Sequence, residues 1–224
     1  MATQRKQEGP AAPRLTAPRP RGLGSVPDAD VVEGDDDLDA VEVSGLRADA
    51  LSWTGRRRLG GSRVTGLSVG TWSAPAASFV DSVLDAVEVV SLDAAGSSWW
   101  NVEVTGSRVG SGALYDSTWR SVHASRCKLG YLNLRDAQLT DVVFSDCTIE
   151  ELDLARATAS RLAFPGSRIA RIELTGSRLA DVDLRDARVD DVGNLEGLRG
   201  ASITTAQLLD LAPALAARLG IRVE

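Results

Sequence analysis

One histidine, His123, two cysteines, Cys127 and Cys147, and 31 carboxylates are the side chains from which this 224-residue chain would have to assemble catalysis or a metal centre. A histidine beside a thiol would make a base–nucleophile pair, and with both thiols the beginning of a zinc set. The spacing tells against either. Each cysteine falls two places before an apolar position and His123 falls one place before, which on extended backbone sends the sulfurs inward and the imidazole outward. The cysteines read as two free, small core residues stacked twenty residues apart in a reducing compartment. Paired carboxylates could serve as acid and base. Here, however, they recur with arginine at spacings of twenty: Asp141, Arg161 and Asp181; Glu151, Arg171 and Asp191; Asp136 with Arg156. Alternating charge at one fixed spacing reads as surface pairing. Glycines such as Gly106, Gly166 and Gly176 fall at turns and form no phosphate-binding loop. The expectation is a protein without catalytic residues, metal ligands or cofactor, and not an enzyme.

One aligned set has no acid in it: Arg108, Lys128, Thr148, Arg168 and Arg188. It makes Arg108, Lys128, Arg168 and Arg188 the candidate surface-interaction residues, since a basic ridge attracts an anionic partner. Glu150, Glu151, Asp190 and Asp191 share that face and are placed to neutralise it.

What positions these side chains is a beat of five. Leu129, Leu134, Leu139, Phe144, Ile149, Leu154, Phe164, Ile169, Leu174, Leu179, Leu184 and Val189 stand five apart, with Ala159 completing the series. A period of five fits neither a helix nor a long alternating strand, so it marks a repeat. A second inward residue lies two places before each centre, so every unit is a very short strand and a turn. From Val122 to Val192 these second residues alternate large and small: Val122, Cys127, Leu132, Ala137, Val142, Cys147, Leu152, Ala157 and onward. Stacked coils fill evenly only if like sits above like, which requires an even number of units per coil. Ten residues are too few to close around two side-chain layers, so the coil has twenty residues and four sides.

Units such as Leu132-Asn133-Leu134-Arg135-Asp136 and Leu152-Asp153-Leu154-Ala155-Arg156 resemble those of the pentapeptide-repeat family. The resemblance implies an all-β fold, a right-handed parallel four-sided β-helix, in keeping with the hand of parallel crossovers. It covers most of the chain, strongly after residue 120. The same beat reaches upstream through Trp119, Trp99 and Phe79 to Leu59, and a run of Leu38, Val43, Ala48 and Trp53 stands one residue out of phase. A one-residue insertion within Thr54–Arg58 accounts for the shift. About eight coils rising about 4.8 Å each make a rod on the order of 40 Å. Trp99 and Trp119 should stack inside it, and Trp100 should face out.

Three parts follow: residues 1–34, a disordered Pro/Arg-rich and then acidic tail; 35–195, the β-helix; and 196–224, a helical cap. In the last part Thr204 or Thr205 can cap a helix with Leu208, Leu211, Leu215 and Leu219 on one stripe, Gly220 suits its end, and Pro213 should kink or divide it. A solenoid must cover its last coil. The resemblance to gyrase-protecting family members implies that this helix also makes a homodimer. No apolar run reaches membrane-spanning length, and the start lacks the apolar core of a secretory signal, so a cytoplasmic location is expected.

The resemblance also implies a DNA-mimicking topoisomerase modulator that binds gyrase and confers fluoroquinolone protection. Such mimicry needs dense negative charge. The net charge is −6, but the acids crowd into Asp28, Asp30, Glu33, Asp35, Asp36, Asp37, Asp39 and Glu42, whereas residues 43–224 hold 22 acids and 20 bases. A nearly neutral rod favours a rigid protein-interaction or scaffold module with an unidentified protein partner. Direct nucleic-acid binding is not expected.

Overall fold

The computed structural model describes residues 9–33 and 37–222. All strand pairs are parallel, and they form two long sheets. One is an eight-stranded sheet with one strand per coil; the other follows ten strands, including short terminal ones at Gly24–Ser25 and Ala201–Ser202. The register is the twenty-residue step read from the pattern: Trp99 lies over Trp119, Arg108 over Lys128, Val122 over Val142, and Leu132 over Leu152. The chain is therefore a four-sided β-helix built from five-residue units.

Corners are made by local backbone chemistry. Among the described residues fourteen non-glycines have φ between 49° and 59°, and seven of them are Asp or Asn, the side chains that best tolerate left-handed backbone. They stand in columns: Ala76, Asp116, Asp136 and Arg156; Asp81, Asn101, Ser121, Asp141, Arg161 and Asp181; Ala86, Arg126 and Asp146. The fourth corner runs through Gly110 and Gly130, neither left-handed, and carries a different constraint. A β-carbon on Gly130 would stand 2.0 Å from the Gly110 carbonyl oxygen, so at these two glycines successive backbones come too close for a side chain.

Inside, the centres named from the repeat are buried from Leu129 through Leu174, and an aromatic ladder runs up the axis. Trp53, Trp72, Phe79, Trp99, Trp119, Phe144 and Phe164 touch in sequence, with Phe79 and Trp99 stacked at 4.0 Å between ring centroids. Gly112 interrupts the large-residue column between Leu92 and Leu132, and a largely apolar cavity of about 70 Å³ opens beside them.

The phase shift also lies where the sequence placed it. Residues 38–52 pair with partners 21 positions on, whereas Arg58 pairs with Ser78, 20 positions on. The inserted stretch delivers Arg57 to the buried N-terminal end. There its guanidinium lies over Trp53 at 5.0 Å and donates to the main-chain carbonyls of Asp30 and Val31. These belong to a short helix, α1 (Asp28–Glu33), whose Val31 closes the first coil. At the other end the step falls to 19, Val182 pairing with Ala201, after a 3-10 turn at Leu195–Leu198. β-pairing thus runs to Ser202, beyond the boundary at residue 195.

Two readings change. Pro213 does not divide the terminal helix into two: α2 is continuous over Thr205–Arg218. The lost N–H falls on an exposed stretch, and the helix is fastened both at its N-terminal end and near its C-terminal end, where Arg218 donates to Glu196 at 3.0 Å. Thr204 and Gln207 form a reciprocal capping box, and the Gln207 amide also donates to the carbonyls of Leu184 and Ala187, groups the final coil leaves without a strand partner. The expected disordered tail is likewise structured from Gly9: residues 9–25 lie along the rod, held by hydrogen bonds described below. Its basic residues Arg5 and Lys6, and the acids Asp35 and Asp36, are outside the described residues.

Candidate interaction surface

The left-handed corners set the charge pattern because they aim side chains of successive coils along one another. Arg156 grips Asp136 through two hydrogen bonds, one at 2.8 Å, and Arg161 grips Asp141 in the same bidentate way. Both pairs join residues twenty apart. The guanidinium hydrogen bond holds each carboxyl below its ordinary range, as Arg185 does for Asp183 and Arg188, with Arg168, does for Asp190. Arg171 reaches Asp191, also twenty on. Asp181 takes a partner from outside the coil instead, accepting from the Ala11 N–H at 3.1 Å.

The basic ridge is real as an alignment, with Arg108 over Lys128 and Arg168 over Arg188. Its two halves differ. Arg168 and Arg188 share Asp190, whereas Arg108 and Lys128 flank a shallow groove floored by Gly110 and Gly130. Trp100 is 56% exposed, with the Arg120 guanidinium 5.1 Å from its ring centre, so the outward indole carries a cation over one face.

His123 does not meet the cysteines. Its Nε2 lies 2.7 Å from the Ser145 hydroxyl, and the ring is half-buried because Leu15–Pro18 pass over it. Cys127 and Cys147 are free and buried, each sulfur donating to main-chain carbonyls. Hydrogen bonding between the two thiols pulls Cys127 down to about 7 and pushes Cys147 up. Among the described residues no three His, Cys, Asp or Glu side chains come together to hold a metal. No helix among them is long and apolar enough to cross a membrane.

Two features escaped sequence reasoning. Asp153 is 1% exposed and accepts from the Tyr131 hydroxyl at 3.2 Å, the Arg135 Nε at 2.6 Å and the Ala155 N–H at 3.0 Å. Burial, then Asp153, pushes the Tyr131 hydroxyl upward. The arginine lies 18 residues away, so the twenty-residue rule passes over it. The second feature is the strap of residues 9–23. The Arg14 N–H reaches Asp141 at 2.8 Å and the Thr16 N–H reaches the Ser121 hydroxyl at 2.8 Å, below which Gly24 pairs with Val41. Pro10, Pro13, Pro18, Pro20 and Leu23 are its half-buried positions. The proline spacing was the available signal.

At the C-terminal end the four stripe leucines divide. Leu211 and Leu215 are half-buried toward the last coil, while Leu208 is 47% and Leu219 73% exposed. Leu209 and Ile221 extend the exposed apolar edge. A cleft of about 90 Å³ lined by Leu184, Val192, Leu198 and Leu211 remains beneath the helix.

No protein-family model matches the chain, and no curated protein does. Among solved structures it is similar to QnrB1, a plasmid-mediated fluoroquinolone resistance protein, at 17% identity over 90% of this chain and 96% of that one, with a TM-score of 0.32. It is also similar to HetL, a pentapeptide repeat protein involved in heterocyst differentiation regulation from the cyanobacterium Nostoc sp.. That match has 13% identity, covers 75% of this chain and 86% of that one, and has a TM-score of 0.25. The fold assignment rests on the chain's own register.

Proposed function

We propose that this chain is a non-catalytic docking rod, a rigid module that presents its ends and faces to another protein. The observation that carries this reading is α2, a fourteen-residue helix with no buried residue, whose Leu208 and Leu209 stand exposed at the end of a rod with mutually paired charges. Exposed apolar side chains grouped on one element are characteristic of protein-binding surfaces. A homodimer through the Leu208–Leu219 stripe is one form such a contact takes, and light scattering would register it as doubled mass. The test of the wider reading is affinity capture from the native host with the wild-type chain and with Leu208→Glu/Leu209→Glu. A specific protein retained by the first and lost by the second supports it; identical recoveries remove α2 as the docking element.

The competing gyrase reading requires a continuous negative face. Asp136, Asp141, Asp183, Asp190 and Asp191 each hold an arginine, which breaks the face into neutral pairs. A supercoiling assay discriminates: the paired surface leads us to expect no inhibition at low micromolar protein.

A further inference from the structure

The strap crosses a ladder of side chains that take main-chain N–H groups. Asp181, Asp141 and Ser121 belong to one left-handed corner column, and they accept from Ala11, Arg14 and Thr16. The dimensions agree. Three residues of proline-rich extended chain cover about 9.3 Å, and the two coils between Asp181 and Asp141 rise about 9.6 Å. Side chains fixed at the corners thus meet main-chain N–H groups of an extended ligand, here three and then two residues apart.

The next rung is Asn101. It is 7% exposed, its amide nitrogen donates to Asp81, and its Oδ1 has no hydrogen-bond partner among the described residues. Beyond Thr16 the strap brings Pro18 and Pro20, which have no N–H to give. Thr16–Pro18 and the neighbouring Val102, Glu103 and His123 enclose a cleft of about 160 Å³. An unpaired buried acceptor costs free energy, so the rod's own strap is an incomplete ligand for its ladder.

We propose that the column Asn101–Ser121–Asp141–Asp181 is a docking track for an extended, proline-containing, basic segment of a partner protein, and that residues 9–23 fill it in cis until displaced. The charge fits: the strap carries Arg14, Arg19 and Arg21, and the track offers Asp141, Asp181 and Glu103. This track deepens the docking-rod reading and rests on it, but it is independent of α2.

The test uses the full chain. Ala11→Pro, Arg14→Pro and Thr16→Pro together remove the three donated N–H groups from an exposed segment and leave the coils untouched. A fluorescein-labelled peptide of residues 9–21 should bind that variant saturably by anisotropy. It should bind the native chain at least about tenfold more weakly, because a tethered strap competes at about millimolar effective concentration. The same peptide carrying Pro18→Ala, which restores an N–H near Asn101, should bind more tightly than the native peptide. Flat anisotropy on the variant, at unchanged melting temperature, overturns the track. If the variant melts early, amide exchange on the native chain decides: protection at Arg14 and Thr16 above that at Arg19 and Arg21 supports the track, and equal exchange overturns it. Flat anisotropy beside α2-dependent capture would reject the track and leave the docking rod standing; loss of both would reject both.

Discussion

Asp141 sits where three parts of the molecule meet: it accepts from Arg161 of the next coil and from the main chain of the strap, and the first of these contacts chiefly lowers its pKa. A carboxylate with a depressed folded pKa contributes stability that is present above its unfolded value and lost as pH falls through the folded one. For Asp141 that loss begins near the ordinary value of 3.8 and continues below it. Asp141→Asn should therefore flatten the acid limb of a melting-temperature series below about pH 4 while leaving the neutral limb parallel; an unchanged acid limb would mean that other carboxyls set it. The corner glycines give a second contrast at this scale. Gly130→Ala drives a β-carbon into the Gly110 carbonyl and should cost about 2–3 kcal/mol in urea unfolding. Gly112→Ala instead meets a Leu132 methyl at 3.0 Å beside a cavity, a group that can rotate away, so its cost should stay within about 0.5 kcal/mol. None of this is visible in a glycine count. The inward or outward sense of Trp99, Trp100 and Trp119 was, because it follows from counting by five.

The two end pieces are fastened in opposite senses, one accepting hydrogen bonds from the rod and the other donating to carbonyls that the last coil leaves open. Arg57 donates to α1, and Gln207 donates from α2 to the last coil. Gln207→Ala removes two such bonds and half of a capping box, so it should cost about 1–2 kcal/mol and speed amide exchange within α2 before any coil opens. Simultaneous exchange of coil and helix would show that the cap and rod unfold as one unit. The contrast in legibility is physical. The repeat is written in the sequence because each unit obeys one local geometry. The caps, the strap and the Tyr131–Asp153–Arg135 cluster depend on where a long-range contact happens to fall, and no local pattern encodes it. Thr204 was recognisable as a cap, yet the persistence of α2 through Pro213 was not, since exposure and fastening at both ends decide it.

At the scale of the whole rod, the register is 20 from Arg58 to the strand that begins at Arg188, but 21 at the first coil and 19 at the last. The interior is therefore one repeated address, and each end is unique. The molecule can lengthen only from within. Inserting a second copy of residues 128–147 between Cys147 and Thr148 keeps every later residue above a partner of its own kind, and the product should fold cooperatively with one more coil, about 5 Å longer by small-angle scattering. Five added residues at the same point would set large above small in every later coil, and the product should fail to fold. The off-step ends act in the opposite sense: a second rod set against either end meets a coil of the wrong circumference, so a chain assembled from interchangeable turns has a fixed beginning and a fixed end.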